Sequence, residues 1–165
     1  MTSKEALERW PCEVLAEWLT ATTGDACTFV RSSDAPDVIY EFRGRTLSME
    51  VTMAFADQEH HAKFVFKGMG PWDGEAPDER LAQDILRCVA KKSINQYGEN
   101  VLLVVRVPPS VTAFEELCTA LAELAVPQDT PFAGIYVVGN FPMTSRSEGG
   151  IRVLPLLALA GTVSA

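Results

Sequence analysis

Positive charge is in short supply in this chain. Lys and Arg number 14 against 22 Asp and Glu, for a formal net charge of −8. A surface of that sign repels the phosphate backbone, which excludes non-specific nucleic-acid binding through bulk charge but leaves open a local basic or metal-assisted site. Histidine is scarcer, with only His60 and His61. They are adjacent rather than four apart, so they make no helical zinc pair. With Asp57 and Glu59 nearby they read as a solvated loop, the alternatives being loose metal binding or an acid–base role. The four cysteines, Cys12, Cys27, Cys88 and Cys118, form no Cys-x-x-Cys pair, which argues against a zinc ribbon or thioredoxin-type motif. They read as reduced thiols of a cytoplasmic protein.

Long apolar runs are also missing. The longest tail, Val153 to Ala160, is too short to span a bilayer and contains Pro155. Met1 to Glu8 is charged and lacks the apolar stretch of a signal peptide. No membrane association is expected. Gly68, Gly70 and Gly74 do not follow a strand and open a helix, so no phosphate-cradling loop is present, nor is there a Gly-x-Ser-x-Gly elbow. No segment repeats.

What is there is ordinary globular composition, 47% hydrophobic and 22% charged over 165 residues. That suits one domain with a core of its own. Leu7, Trp10, Val14, Leu15, Trp18 and Leu19 recur at helical spacing. Thr2 and Glu5 suit a capping box, Pro11 a kink or a second helix start, and Gly24 a stop. Cys27–Arg31, Val38–Phe42 and Thr46–Ala54 read as strands, with Arg43-Gly44-Arg45 as a hairpin tip. In the third strand Leu47, Met49, Val51 and Met53 share one face, and Ser48, Glu50 and Thr52 the other. Residues 55–78 lack a period and read as a functional loop, with a brief strand at Phe64-Val65-Phe66 as an option and Trp72 lining or anchoring a site. Asp78–Tyr97 is a helix stopped by Gly98. Val101–Val107 and Phe132–Val138 are apolar strands buried on both faces. A Thr112–Glu115 capping box opens the helix between them, and Ile151–Leu154 is a candidate edge strand. The order α-β-β-β-α-β-α-β predicts an α/β domain with a mixed central sheet flanked by helices.

Divalent-metal hydrolysis of a phosphodiester needs converging carboxylates and gains from a positive group near the developing charge. Asp37 and Glu50 lie about equally far from the hairpin tip on partner strands, which lets them meet. Pro36-Asp37, followed thirteen residues later by Glu50-Val51-Thr52, resembles the motif of the PD-(D/E)XK nuclease superfamily. The later helix and strand, with Lys92, Tyr97 and Leu102-Leu103-Val104-Val105, are similar to the helix-then-strand unit of that fold. The resemblance covers residues 3–107, leaving 108–165 as a C-terminal extension of a single restriction-endonuclease-like domain.

The resemblance implies that Asp37 and Glu50 hold Mg²⁺ and that a lysine two residues after Glu50 helps activate water. Thr52 stands at that position and carries no charge. Some members of the superfamily place the lysine on the following helix, which makes Lys92 the candidate, since it falls on the stripe of Leu81 and Ile85. Glu17, on the first helix, is a further candidate ligand. Each residue has a simpler reading: Asp37 as a turn residue after proline, Glu50 as a cross-hairpin partner of Arg43 or Arg45, Lys92 as a snorkelling helix-edge cation, Thr52 as a good strand former. The expected function is therefore a metal-dependent nuclease-like protein acting on nucleic acid. The alternative is a catalytically inactive nuclease-fold protein that binds or regulates a protein partner. In an active enzyme Arg31, Arg43, Arg45, Lys91 and Lys92 are expected to gather on one face.

Overall fold

The computed structural model describes residues 3–54, 77–109, 112–145 and 148–162. Among the described residues three helices and six strands follow in the order α1 (Ser3–Thr23), β1 (Cys27–Ser32), β2 (Val38–Phe42), β3 (Arg45–Met53), α2 (Pro77–Lys92), β4 (Val101–Arg106), α3 (Phe114–Ala122), β5 (Gly134–Phe141) and β6 (Gly150–Leu157). The strands form one sheet in sequence order. β1, β2 and β3 run as an antiparallel meander, β3, β4 and β5 are parallel, and β6 returns antiparallel along the far edge. This is the expected α/β architecture with a mixed sheet. The residues read as an extension, 108–165, supply two of its six strands and belong to the same sheet.

The central strands explain the layering. Val101, Leu103, Val105, Ile135 and Val137 face α2 and α3, while Leu102, Val104, Tyr136 and Val138 face α1. Strands buried on both faces need continuous apolar sequence, and β4 and β5 supply it. β1 is exposed over most of its length, and β6 accommodates Pro155 because an edge strand can spare one ladder bond. Arg43 and Gly44, with φ of 53° and 74°, form a two-residue turn of the type that matches strand twist.

Pro11 neither ends the first helix nor starts a second. α1 runs unbroken from Ser3 to Thr23 with Pro11 buried inside it. Proline lacks the N–H that would bond the carbonyl four residues back. That carbonyl, Leu7 O, instead accepts Arg106 Nη1 of β4 at 3.2 Å, and the Arg106 guanidinium lies 4.9 Å from the Trp10 ring centroid. A tertiary donor thus replaces a helical one. Two other boundaries also move. α2 ends at Lys92 rather than Tyr97: Ser93 N–H still makes the helical bond to Val89 O at 2.9 Å, and the chain then turns, with Asn95 N–H on Lys92 O at 3.2 Å, the tighter three-residue spacing of a closing turn. The helix cap at Thr112 does not form: Ala113 is the N-cap and no side chain caps it. The Thr2 cap, the Phe64-Val65-Phe66 strand and the loop reading of residues 55–76 lie outside the described residues.

If Arg106 substitutes for the missing proline donor, the two positions must be coupled. Arg106→Leu is expected to cost about 1–2 kcal/mol in the native background and clearly less in Pro11→Ala, where the helix supplies its own N–H. Urea unfolding of the two single variants and the double variant checks this. Additive losses would mean that the guanidinium contact contributes only packing.

Candidate functional site

Register brings the two carboxylates together. Val38 pairs with Met49, so Asp37, one residue ahead of β2, falls opposite Glu50. β3 outruns β2 at this end, and the Val51 N–H, which points toward β2, has no strand carbonyl to meet. Asp37 Oδ2 accepts it at 2.8 Å. The turn before Asp37 contains a cis Ala35–Pro36 peptide and is closed by a 2.8 Å bond from Ser33 N–H to Asp37 O. Asp37 and Glu50 are 6% and 4% exposed. The face of β3 that carries Glu50 is therefore covered, not open to solvent.

Lys92, in the last turn of α2, places Nζ 3.3 Å from Glu50 Oε2. Burial works against its charge, but Glu50 outweighs this and holds the Lys92 pKa above its ordinary value. Glu50 thus pairs with Lys92, while Arg43 is bound to Asp25 at 2.8 Å across the hairpin end. The second Glu50 oxygen, Oε1, is buried without a hydrogen-bond partner. Asp37 responds to the same crowding. Burial, then a hydrogen bond with the Glu50 carboxyl, push its pKa up to about 8, against the opposing pull of the Val51 N–H. Without a cation, Asp37 keeps its proton at neutral pH.

Tyr97 is a site residue whose part the sequence did not reveal. The early end of α2 leaves it on the following turn, where its ring stacks on Phe132 with centroids 5.7 Å apart and its hydroxyl accepts Asn95 Nδ2 at 3.1 Å. Burial, then a hydrogen bond to Glu50, raise its pKa.

The other candidates fall elsewhere. Thr52 shares the Glu50 face, roughly 7 Å further along the strand, and contacts Cys88 of α2. Glu17 is exposed and lines a separate groove with Phe29 and Tyr40. Glu8 is the α1 carboxylate whose charge reaches Asp37. It was legible, since Glu8 continues the stripe of Cys12, Leu15 and Leu19, all buried. The basic residues do not gather. Arg43 and Arg45 stand at the hairpin tip, roughly 16 Å along β3 from Glu50. Arg31 lines a polar cleft of about 460 Å³ with Lys4, Glu8, Ser32 and Ser33, next to Asp37 in the chain. No three His, Cys, Asp or Glu cluster as a metal cage among the described residues. Asp57, Glu59, His60, His61, Gly68, Gly70, Trp72 and Gly74 lie outside the described residues.

The chain matches no family model, no curated protein and no solved structure. Among the described residues no helix is long and apolar enough to cross a membrane.

The Asp37 carboxyl makes stability pH-dependent with a definite sign. The unfolded chain releases this proton near pH 3.8 and the folded chain near pH 8. Between those values the folded form binds more protons, so the contribution of this group to stability falls as pH rises. Asp37→Asn keeps an acceptor for the Val51 N–H and cannot ionise. It is expected to flatten the pH dependence and to unfold at higher urea than the native chain at pH 8. Parallel slopes for the two proteins between pH 5 and pH 8 would mean that Asp37 ionises normally.

Proposed function

We propose that this chain is a metal-dependent nuclease-like protein that acts on nucleic-acid phosphodiesters, on a restriction-endonuclease-like version of the α/β fold. One observation carries the reading: two buried carboxylates on partner strands face each other with a lysine ammonium 3.3 Å from one of them. The element order supports it, since a three-stranded meander followed by a helix and a parallel strand is the unit that the motif resemblance implies.

The residues fit a hard divalent cation such as Mg²⁺. Both donors are carboxylate oxygens, Glu50 Oε1 lacks a partner, and Asp37 retains a proton because it is buried beside the Glu50 carboxyl. Asp37 and Glu50 would hold the ion, which when bound supplies Lewis acidity and lowers the pKa of bound water. The chain's own groups do the rest. The Val51 N–H fixes the Asp37 carboxylate, and Lys92 holds that of Glu50. Lys92 brings the positive charge that Thr52 lacks and is positioned to stabilise charge building on a phosphoryl oxygen.

A second reading, a nuclease-fold protein that binds without catalysis, is favoured by the engagement of Thr52 with Cys88 and by the net charge of −8. Calorimetry separates the two. The native chain is expected to bind Mn²⁺ or Mg²⁺ more tightly at pH 8.5 than at pH 6, because the cation must displace the Asp37 proton. Binding should vanish in Asp37→Ala/Glu50→Ala. Lys92→Met should still bind metal while cleaving plasmid or single-stranded substrates at least about 100-fold more slowly. A native chain that neither binds these ions nor cleaves in their presence belongs to the second reading.

A further inference from the structure

A second concave surface lies away from the carboxylate pair. α1 and the β1–β2 edge enclose a groove of about 370 Å³ lined by Glu13, Ala16, Glu17, Cys27, Phe29 and Tyr40, among others. Three features of it call for a ligand. Tyr40 is 2% exposed and its hydroxyl is buried with no hydrogen-bond partner, although a buried phenol normally finds one. That hydroxyl belongs to a neighbourhood shared with Cys12, Glu13, Cys27 and Arg9. Glu17 stands exposed on the groove with no ion-pair partner among the described residues. Finally, a basic group is already seated beside the groove. The Arg9 guanidinium lies 4.0 Å from the Phe29 ring centroid, with Nε 2.9 Å from Glu13 Oε1. An aromatic face with a carboxylate at its rim is how proteins hold a guanidinium or ammonium group. One helical turn further along α1, Glu17 sets a second carboxylate at the rim of the groove that the Phe29 ring lines.

We propose that this groove docks an arginine or lysine side chain presented by a partner protein. The rim charge requires a cation. Phe29, 37% exposed, with Ala16 and Ala21 lines the groove with hydrocarbon beyond what a free small cation would cover, which points to a side chain carried on a protein surface. A second copy of this chain is the poorer occupant. It brings another net charge of −8, and the β1 ladder is irregular between Phe29 and Arg31, which spoils the edge for strand-to-strand pairing. The site does not depend on the nuclease reading. Glu17 lies roughly 13 Å along the helix axis from Glu8, the α1 residue nearest in effect to Asp37.

The test uses the full chain, isotopically labelled for NMR and titrated with acetyl-Gly-Val-Arg-Val-Gly-amide. A peptide with citrulline in place of arginine, nearly equal in shape but uncharged, serves as the comparison. The arginine peptide is expected to shift amides of α1 from Ala16 to Ala21 and of β1 from Cys27 to Val30, and to bind about tenfold more tightly than the citrulline peptide. Glu17→Gln should weaken the arginine peptide about five- to tenfold. Tyr40→Phe should weaken it as well, while leaving thermal stability unchanged or higher, because the hydroxyl it removes has no partner in the free protein. Asp37→Asn should leave binding unchanged, which separates this site from the carboxylate pair. Equal binding of the two peptides, no shifts at millimolar peptide, or unchanged affinity in Glu17→Gln overturns the proposal. So does a concentration-dependent dimer in sedimentation that Phe29→Ser abolishes, which would assign the surface to a second copy.

Discussion

A carboxylate placed in a hydrocarbon layer costs several kcal/mol unless charge and hydrogen bonds compensate it. Glu50 is such a group. Its neighbours on the same sheet face, Leu103 beside it on β4 and Ile135 beyond on β5, are fully buried, and α2 lies over them. The organisation around it follows from that placement. α2 ends where Lys92 can reach Oε2, and Tyr97 stacks on Phe132 with its hydroxyl at the same carboxylate. Asp37 has to share the pocket, and it does so by holding a proton. A purely structural role would be met more simply by a hydrophobic residue, since well-packed apolar side chains commonly match or exceed buried ion pairs in stability. Two carboxylates and a lysine, with one oxygen left unpartnered, describe a site prepared for a charge that arrives from outside.

How much of this the sequence revealed depended on the range of the forces involved. Asp37 and Glu50 were legible because hairpin register is set locally: a two-residue turn at Arg43 and Gly44 fixes which residues face each other. Lys92 was legible because helical periodicity put a cation on an apolar stripe. Glu17 lies away from the pair, and Glu8 was passed over because the stripe was followed through its large residues. Cys12, which is fully buried, carries the face that Glu8 continues, and cysteine is easily left out of such a count. Tyr97 was hidden for a different reason. Its role depends on where α2 ends, and the helix gives way to a turn at Lys92–Asn95, ahead of the stop that Gly98 suggested.

Pro11 shows the same limit from the other side. Judged on local rules, a proline nine residues into a helix breaks it. The penalty is borne elsewhere, by a guanidinium on a strand 95 residues later in the chain. Pairings of that separation leave no local periodic signature. Arg106 itself gains from the arrangement, because a half-buried guanidinium obtains a carbonyl acceptor and the Trp10 face at once. The helix therefore runs unbroken past Pro11, with Glu8 on one side of it and Glu17 on the other.

The charge distribution ties these regions together. A chain of net charge −8 attracts neither nucleic acid nor acidic surfaces at long range. Any phosphate that reached Asp37 and Glu50 would have to be held by contacts at short range, and Lys92 is the cation seated at that pair. Arg43 is committed to Asp25 and to the Gly161 carbonyl at the other end of the sheet. The same negative surface favours a basic partner, and α1 offers it one where Glu17 stands unpaired beside an aromatic floor. An acidic exterior of this kind would make a cation decisive at either site, a metal ion at the two carboxylates under the proposed function and a basic side chain in the groove.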